Sequence, residues 1–587
     1  MPPGGQEPLI QRPGSESSNE RGIEEEDALL TGQATGKHTP QSTQRSKWRE
    51  IGLFVWALLA TAAVVVLAVV YQHSSTEKAG DPSPTGKRNL IFMVSDGMGP
   101  TSLTLTREWR QYVEKLPIDD TLVLDNHLIG QSRTRSSSSL ITDSAAGATA
   151  FSCGKKSYNG AISVLPNFEP CGSVMEAAKR AGYTTGLVVT TRITDATPAV
   201  FVSHVRRREM EDDIALQMIG ETHPLGRMVD LMFGGGRCHF LPNTTDDSCR
   251  YDDMDVIDVA EKNGWSYIDS RDDFDSLGTS LNMPFLGLFA THDFPYEIDR
   301  RENGGLYPSL AEMTTKALKA LSAATKDSEQ GFFIMIEGSR IDHAGHANDP
   351  AAQVHEVLAY DKAMAAVLDF IEQEDTPTVM VSTSDHETGG LATAKQLHAS
   401  YPQYLWYPGV LANASRSASN ASHEYHAHLR EASASSEDMK AYLSSLTSKA
   451  LGINDCSQDE LDVLVDKPEI APYAFADMIS RRAQTGWSTH GHSGADVNIY
   501  SSDAKAAKAL VGNHENTEVG DFLRSYLDLD DEVEKVTRKL LEHMRTKADN
   551  TWLGRTPEEN ERLDGQDHLD HYTGDHKHKK RCNICGV

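Results

Sequence analysis

Short apolar runs rich in β-branched residues recur along this chain. Four of them, Leu90–Val94, Thr185–Val189, Phe332–Ile336 and Thr378–Val381, each lead within a few residues into a set holding an acid, or acid and histidine together. Runs that are apolar throughout, not alternating, predict strands buried on both faces, as in parallel sheets. A helical pattern over Pro350–Glu374 follows the third run, as a βαβ unit requires. The expectation is an α/β domain over residues 89–545, with a central, mostly parallel sheet flanked by helices. Residues 396–490 contain a break in this rhythm. Its first part, to about 440, is rich in Ala, Ser, Asn, Tyr and His and reads as a surface insertion over the sheet. Ligands of open α/β sheets gather beyond the carboxyl ends of strands, so Asp96, Thr191–Thr197, Glu337 and Asp385-His386 are the first candidates for chemistry.

The pattern changes before the domain. Ile51–Tyr71 carries no charge and is long enough to cross a bilayer as one helix. It lies too far from Met1, and lacks the cleavage site, for an ordinary signal peptide. Arg45, Lys47 and Arg49 precede it, which predicts a cytosolic N-terminus and a lumenal or extracellular domain, the type II orientation. Residues 1–50 read as a disordered tail and residues 72–88, with Pro82, Pro84 and Gly86, as a stalk. Residues 546–587 read as a flexible polar tail, despite His568, His571, His576, His578 and the Cys582-x-x-Cys585 pair, because one Cys pair lacks a second pair of ligands. In the N-terminal tail, Leu29-Leu30 after an acidic cluster resembles the signals read by vesicle-coat adaptors. Sequons at Asn243, Asn413 and Asn420 all follow the span, and Cys238 and Cys249 could pair in an oxidising lumen.

Lys and Arg number 56 against 85 Asp and Glu, a net charge of −29, which excludes a nucleic-acid surface. An anionic substrate would need local positive charge, and bound metal ions supply it in so acidic a protein.

Candidate ligands have the spacing for this. In Glu337-Gly338-Ser339-Arg340-Ile341-Asp342-His343-Ala344-Gly345-His346, helical i, i+4 spacing puts Asp342 and His346 on one face. Asp with His suits zinc, whereas Glu with hydroxyl and water oxygens suits magnesium. Asp385-His386 is another pair, and His490-Gly491-His492 adds two ring nitrogens or is a plain surface loop. Thr142-Asp143-Ser144 precedes small, helix-compatible residues. Ser144 would open a helix beside free backbone N–H groups that favour phosphate, although an ordinary N-cap serine looks the same.

These residues resemble the alkaline phosphatase family, most closely its fungal vacuolar, membrane-anchored branch. The matching motifs are Val94–Gly99, the Ser144 motif, Asp195–Ala199, Glu337–His346, Ser384–His386 and His492–Gly494, in family order over roughly residues 89–500. The resemblance implies a phosphomonoesterase of broad leaving-group range working through a phosphoserine on Ser144. It implies one zinc on Asp342, His346 and His492, a second on Asp96, Asp385 and His386, and one magnesium on Asp96, Thr197 and Glu337. Arg208 falls at the phosphate-clamping arginine, with Arg206 and Arg207 as rivals. Asp195 is as in bacterial members, while His343 replaces their lysine. A homodimer is a further implication; a vacuolar-membrane address rests on the topology and on Leu29-Leu30, with the cell surface as the alternative. The alternatives are a phosphodiesterase or sulfatase of the same superfamily and a non-catalytic membrane scaffold.

Overall fold

The computed structural model describes residues 54, 56, 61, 86–431, 435–546 and 551–558. The acidic dileucine, nearly all of the Ile51–Tyr71 run, most of the stalk and the Cys582-x-x-Cys585 tail lie outside these residues. No helix among the described residues is long and apolar enough to cross a membrane.

Ten strands form one sheet: β1 (Asn89–Val94), β2 (Leu128–Arg133), β3 (Thr184–Arg192), β4 (Leu231–Gly235), β5 (Ser266–Ile268), β6 (Phe285–Leu288), β7 (Phe332–Glu337), β8 (Thr378–Thr383), β11 (Val497–Ser501) and β12 (Gly512–Glu515). The short β9 (Glu387–Thr388) and β10 (His492–Ser493) pair apart from it. The strand order is β12-β2-β11-β8-β1-β7-β3-β4-β6-β5. All its pairings are parallel except those of β11, which runs antiparallel to both β8 and β2.

Burial explains why β1 is apolar at every position. Leu90, Phe92 and Val94 enter one core with the helices Ser144–Cys153, Val174–Arg180 and Asn516–Tyr526. Ile91 and Met93 enter the opposite core with Leu310–Thr325 and Pro350–Gln373. Each such side chain contributes about 1.5–3 kcal/mol by leaving water. The sheet is thus sandwiched between two helical layers, as the apolar runs predict.

The stretch read as a surface insertion is helical: Pro408–Ala412, Ala418–Glu431, Ser436–Leu451, Gln458–Asp466 and Ala471–Ala483. These helices bury Leu411, Tyr425, Leu443, Phe475 and Ile479 in a third cluster, which also takes in Leu105 and Trp109 of the Pro100–Glu114 helix. Apolar residues at helical spacing were masked there by the many Ala, Ser and Asn around them.

Adjacency within the sheet positions the site. β8, β1, β7 and β3 are consecutive neighbours and parallel, so their carboxyl ends share one edge. Because β11 is inverted, its beginning lies at that same edge, and His492 just before it arrives there.

Candidate metal and phosphate site

Asp96 follows β1, Glu337 ends β7, Asp385 and His386 follow β8, and Thr197 lies on the short helix Ala196–Ala199 after β3. Asp342 and His346 come from the helix Arg340–His346. Gly97 makes this convergence sterically feasible. Its φ is +75°, and a Cβ there would lie 2.5 Å from the Asp342 Cα, so only glycine allows the approach.

Two groups of ligand atoms result, Asp342–His346–His492 and Asp96–Asp342–His386, each with its atoms within 4.8 Å of one another. His346 Nε2 lies 3.2 Å from Asp342 Oδ2, and His492 Nε2 lies 3.1 Å from His346 Nε2. Asp385 Oδ2 is 3.2 Å and Asp96 Oδ1 3.6 Å from His386 Nε2. Thr197 Oγ1 donates to Asp96 Oδ2 at 3.4 Å, and Glu337 is close enough to Asp96 for their charges to interact. The structure therefore brings all eight expected ligands together.

The outward nitrogens set the ring tautomers. His492 Nδ1 donates to the Thr142 carbonyl at 2.7 Å, and His346 Nδ1 donates to the His490 carbonyl. The Thr388 hydroxyl donates to Asp342 Oδ1, so at 3.2 Å it accepts from His386 Nδ1. In its neutral form, each of the three rings is left with Nε2 turned inward as an electron-pair donor, the arrangement of metal-ligating histidines.

Electrostatics make the same demand. Burial, then Asp385, Asp342 and Glu337, hold the Asp96 carboxyl well above the usual range. Burial, then Asp195 and Asp385, do so for Glu337. Burial and the neighbouring His386 push His492 down to about 3, whereas Asp342 overcomes burial to raise His346 to about 9. Asp96 Oδ1, Glu337 Oε2 and Asp385 Oδ2 are buried without a hydrogen-bond partner. Buried carboxylates in this state need cations, and the donor set fits zinc at the histidines and a harder cation at Glu337 and Thr197.

Ser144 is the first residue of the helix Ser144–Cys153, but it does not cap it. The cap is Asp143, whose side chain accepts from the Ala146 N–H at 2.9 Å. The Ser144 hydroxyl is left to face His386 Nε2 at 3.1 Å. The other oxygen of Asp143 accepts from the Gly160 N–H at 2.9 Å and from Arg208 at 3.2 Å. Arg208 reaches Asp195 at 3.0 Å with its second nitrogen. Of the three consecutive arginines, Arg208 alone reaches the site: Arg206 bonds the Gly554 carbonyl and Arg207 pairs with Glu209. Asp195 also meets Arg192 at 3.3 Å, and these arginines outweigh burial to hold it well below the carboxylate range. Burial pushes the His343 ring down despite Asp293, 3.6 Å away.

Asp293 and Thr388 were not singled out by sequence. Asp143 had a signal only in its position beside Ser144, and Arg192 only in lying within the Thr191–Thr197 segment.

Residues 87–529 match the family model described as alkaline phosphatase. The repressible alkaline phosphatase of Saccharomyces cerevisiae is 54% identical over 512 residues, covering 83% of this chain and 90% of that protein. The crystal structure of a cold-active alkaline phosphatase from the psychrophile Shewanella sp. is similar at a TM-score of 0.62 and 30% identity, covering 75% of this chain and 99% of its own. A variant of the TAB5 alkaline phosphatase, solved with magnesium bound in its M3 site, gives 0.51 and 26% over 76% of this chain and 98% of its own.

Proposed function

The chain belongs to the alkaline phosphatase family, and from that premise we propose how its residues divide the work of a metal-dependent phosphomonoesterase. The observation that carries the reading is the Ser144 hydroxyl, relieved of capping by Asp143 and turned to His386. Asp342, His346 and His492 would hold one zinc, Asp96, Asp385 and His386 a second, and Asp96, Thr197 and Glu337 a magnesium. When bound, these ions supply Lewis-acid charge that lowers the pKa of the attacking hydroxyl and water and stabilises developing negative charge.

Ser144 Oγ attacks phosphorus in line. The Oγ–P bond forms as the ester P–O bond breaks, leaving a phosphoserine and an alcohol that takes up a proton. Water then attacks the same phosphorus and returns Ser144 with inorganic phosphate. Arg208 can lend its planar fork to two phosphate oxygens, and Asp143 and Asp195 hold that fork in place beforehand. Asp195, which holds Arg208 at 3.0 Å, and His343 border the phosphate as groups already unprotonated at alkaline pH, because both are held below their ordinary pKa values. Because the grip is on the phosphoryl group, leaving groups are accepted broadly.

We place the domain on the lumenal side of the vacuolar membrane as a type II, single-pass glycoprotein. The charge flanking Ile51–Tyr71 supports this, as do the disulfides Cys153–Cys171 and Cys238–Cys249 and the exposed sequon residues Asn243 and Asn413. A homodimer and adaptor recognition at Leu29-Leu30 complete the proposal. The test is aryl phosphate hydrolysis at alkaline pH by the purified protein, before and after chelation and after zinc and magnesium are restored. Activity lost and recovered with the ions, and absent in Ser144→Ala, is expected. Turnover of diesters or sulfate esters in preference to monoesters would overturn the reading.

A further inference from the structure

His490 is the ring of the His-Gly-His run that the metal assignment leaves over, and it belongs to neither ligand group. Yet it is bound to that site by a reciprocal pair of hydrogen bonds. His490 Nδ1 donates to the His346 carbonyl at 2.8 Å, while His346 Nδ1 donates to the His490 carbonyl. Asn348 adds a second stitch between the same two segments, its Nδ2 donating to the Gly345 carbonyl at 2.8 Å and to the Thr489 carbonyl at 2.9 Å. On its other side the His490 ring packs edge-on against Tyr473, with centroids 4.7 Å apart. Tyr473 belongs to the helix Ala471–Ala483 of the helical insertion.

We infer that His490 is a positioning residue for the zinc held by Asp342, His346 and His492. The inference rests on the metal assignment proposed above. Its logic is tautomeric. His346 can present Nε2 to a metal only with the proton on Nδ1, and that proton needs an acceptor at a fixed place. The acceptor is the His490 carbonyl, on a loop with a glycine immediately after it. The His490 ring fixes its own backbone by donating back to the residue whose ring it serves. A carbonyl only accepts, so His490 must carry its proton on Nδ1. Partners of this kind typically change metal affinity about 10–100-fold.

The clasp needs a donor at the position of the His490 Nδ1, and asparagine supplies one from its amide nitrogen without offering a ring nitrogen. The experiment is zinc release from the metal-loaded full chain to a chromogenic chelator, comparing wild type, His490→Ala and His490→Asn, with zinc content and the melting of metal-free protein measured alongside. His490→Ala should release one of the two zinc ions about 10–100-fold faster, while His490→Asn stays close to wild type and metal-free melting is unchanged. Release from His490→Ala at the wild-type rate would overturn the inference. So would release from His490→Asn as fast as from His490→Ala, because the ring's other nitrogen or its bulk would then be responsible. Wild-type protein that takes up no zinc would sink the metal assignment along with it, whereas unaltered release from a two-zinc protein would sink the clasp alone.

Discussion

Replacing Ser144 and Asp143 separately by alanine divides chemistry from architecture at adjacent positions. Ser144→Ala removes one hydroxyl whose partner is His386 Nε2 at 3.1 Å. The helix keeps its cap, so the loss of stability should not exceed the net worth of one hydrogen bond, about 0.5–1.5 kcal/mol. Asp143→Ala removes the acceptor of the Ala146 N–H, worth about 1 kcal/mol as a cap. It also strands the buried Gly160 N–H, at about 1–3 kcal/mol, and takes from Arg208 one of its two carboxylates. The expected cost is therefore about 2–4 kcal/mol. Urea midpoints of the metal-loaded variants measure stability, and an acid quench after exposure to labelled substrate measures phosphoenzyme. Ser144→Ala should form none while folding nearly as wild type. Asp143→Ala should form some, more slowly, from a less stable protein. A Ser144→Ala variant that matches Asp143→Ala in stability loss, or that still traps phosphate, would refute the assignment of the cap to Asp143 and of the nucleophile to Ser144.

We predict that Arg208→Lys lowers kcat/KM by about 10–100-fold, through loss of roughly 1.5–3 kcal/mol of charge-assisted bonding, and weakens inhibition by inorganic phosphate; Arg206→Lys, which alters an arginine bonded to Gly554, should change neither. Above about pH 7, the metal-free protein should lose stability as pH rises. Asp96 and Glu337 have folded-state pKa values raised above their unfolded values, as do His346, to about 9, and His386. The stability these groups contribute is present below the unfolded values and lost as pH climbs through the folded ones. Melting of chelated against metal-loaded protein from pH 7 to 10, above the range in which the lowered His492 and His343 add stability as pH rises, should show a widening gap, and a narrowing gap would contradict the charge balance described. Changing both Cys153 and Cys171, 18 positions apart, to serine should cost about 3 kcal/mol, readable as a lower urea midpoint with the zinc content preserved.

The fold was legible where one physical cause dominates. Burial on both faces made β1, β7 and β8 continuous apolar words, and the acids that follow them are placed by sheet polarity alone. Asp342 and His346 were legible because a single helix fixes their spacing. What stayed hidden depends on contacts distant in sequence. Asp143 reads as a companion of Ser144 until Gly160 and Arg208 are folded against it. Arg208 reads the same as Arg206 and Arg207 until Asp195 is beside it. The helical insertion stayed hidden because its apolar positions pack against Leu105 and Trp109, some 300 residues earlier.

The inverted strand β11 gives the chain a sense of time. Asp96 and His492 meet at one edge only because that strand runs backwards, yet they stand about 400 positions apart. At a synthesis rate of about 5–20 residues per second, roughly 20–80 s separate their emergence. Throughout that interval the growing chain holds an incomplete set of ligands, acidic and open on one side. Stable capture of metal is thus a late event of biogenesis, and it certifies that the most distant parts of the polypeptide have found one another.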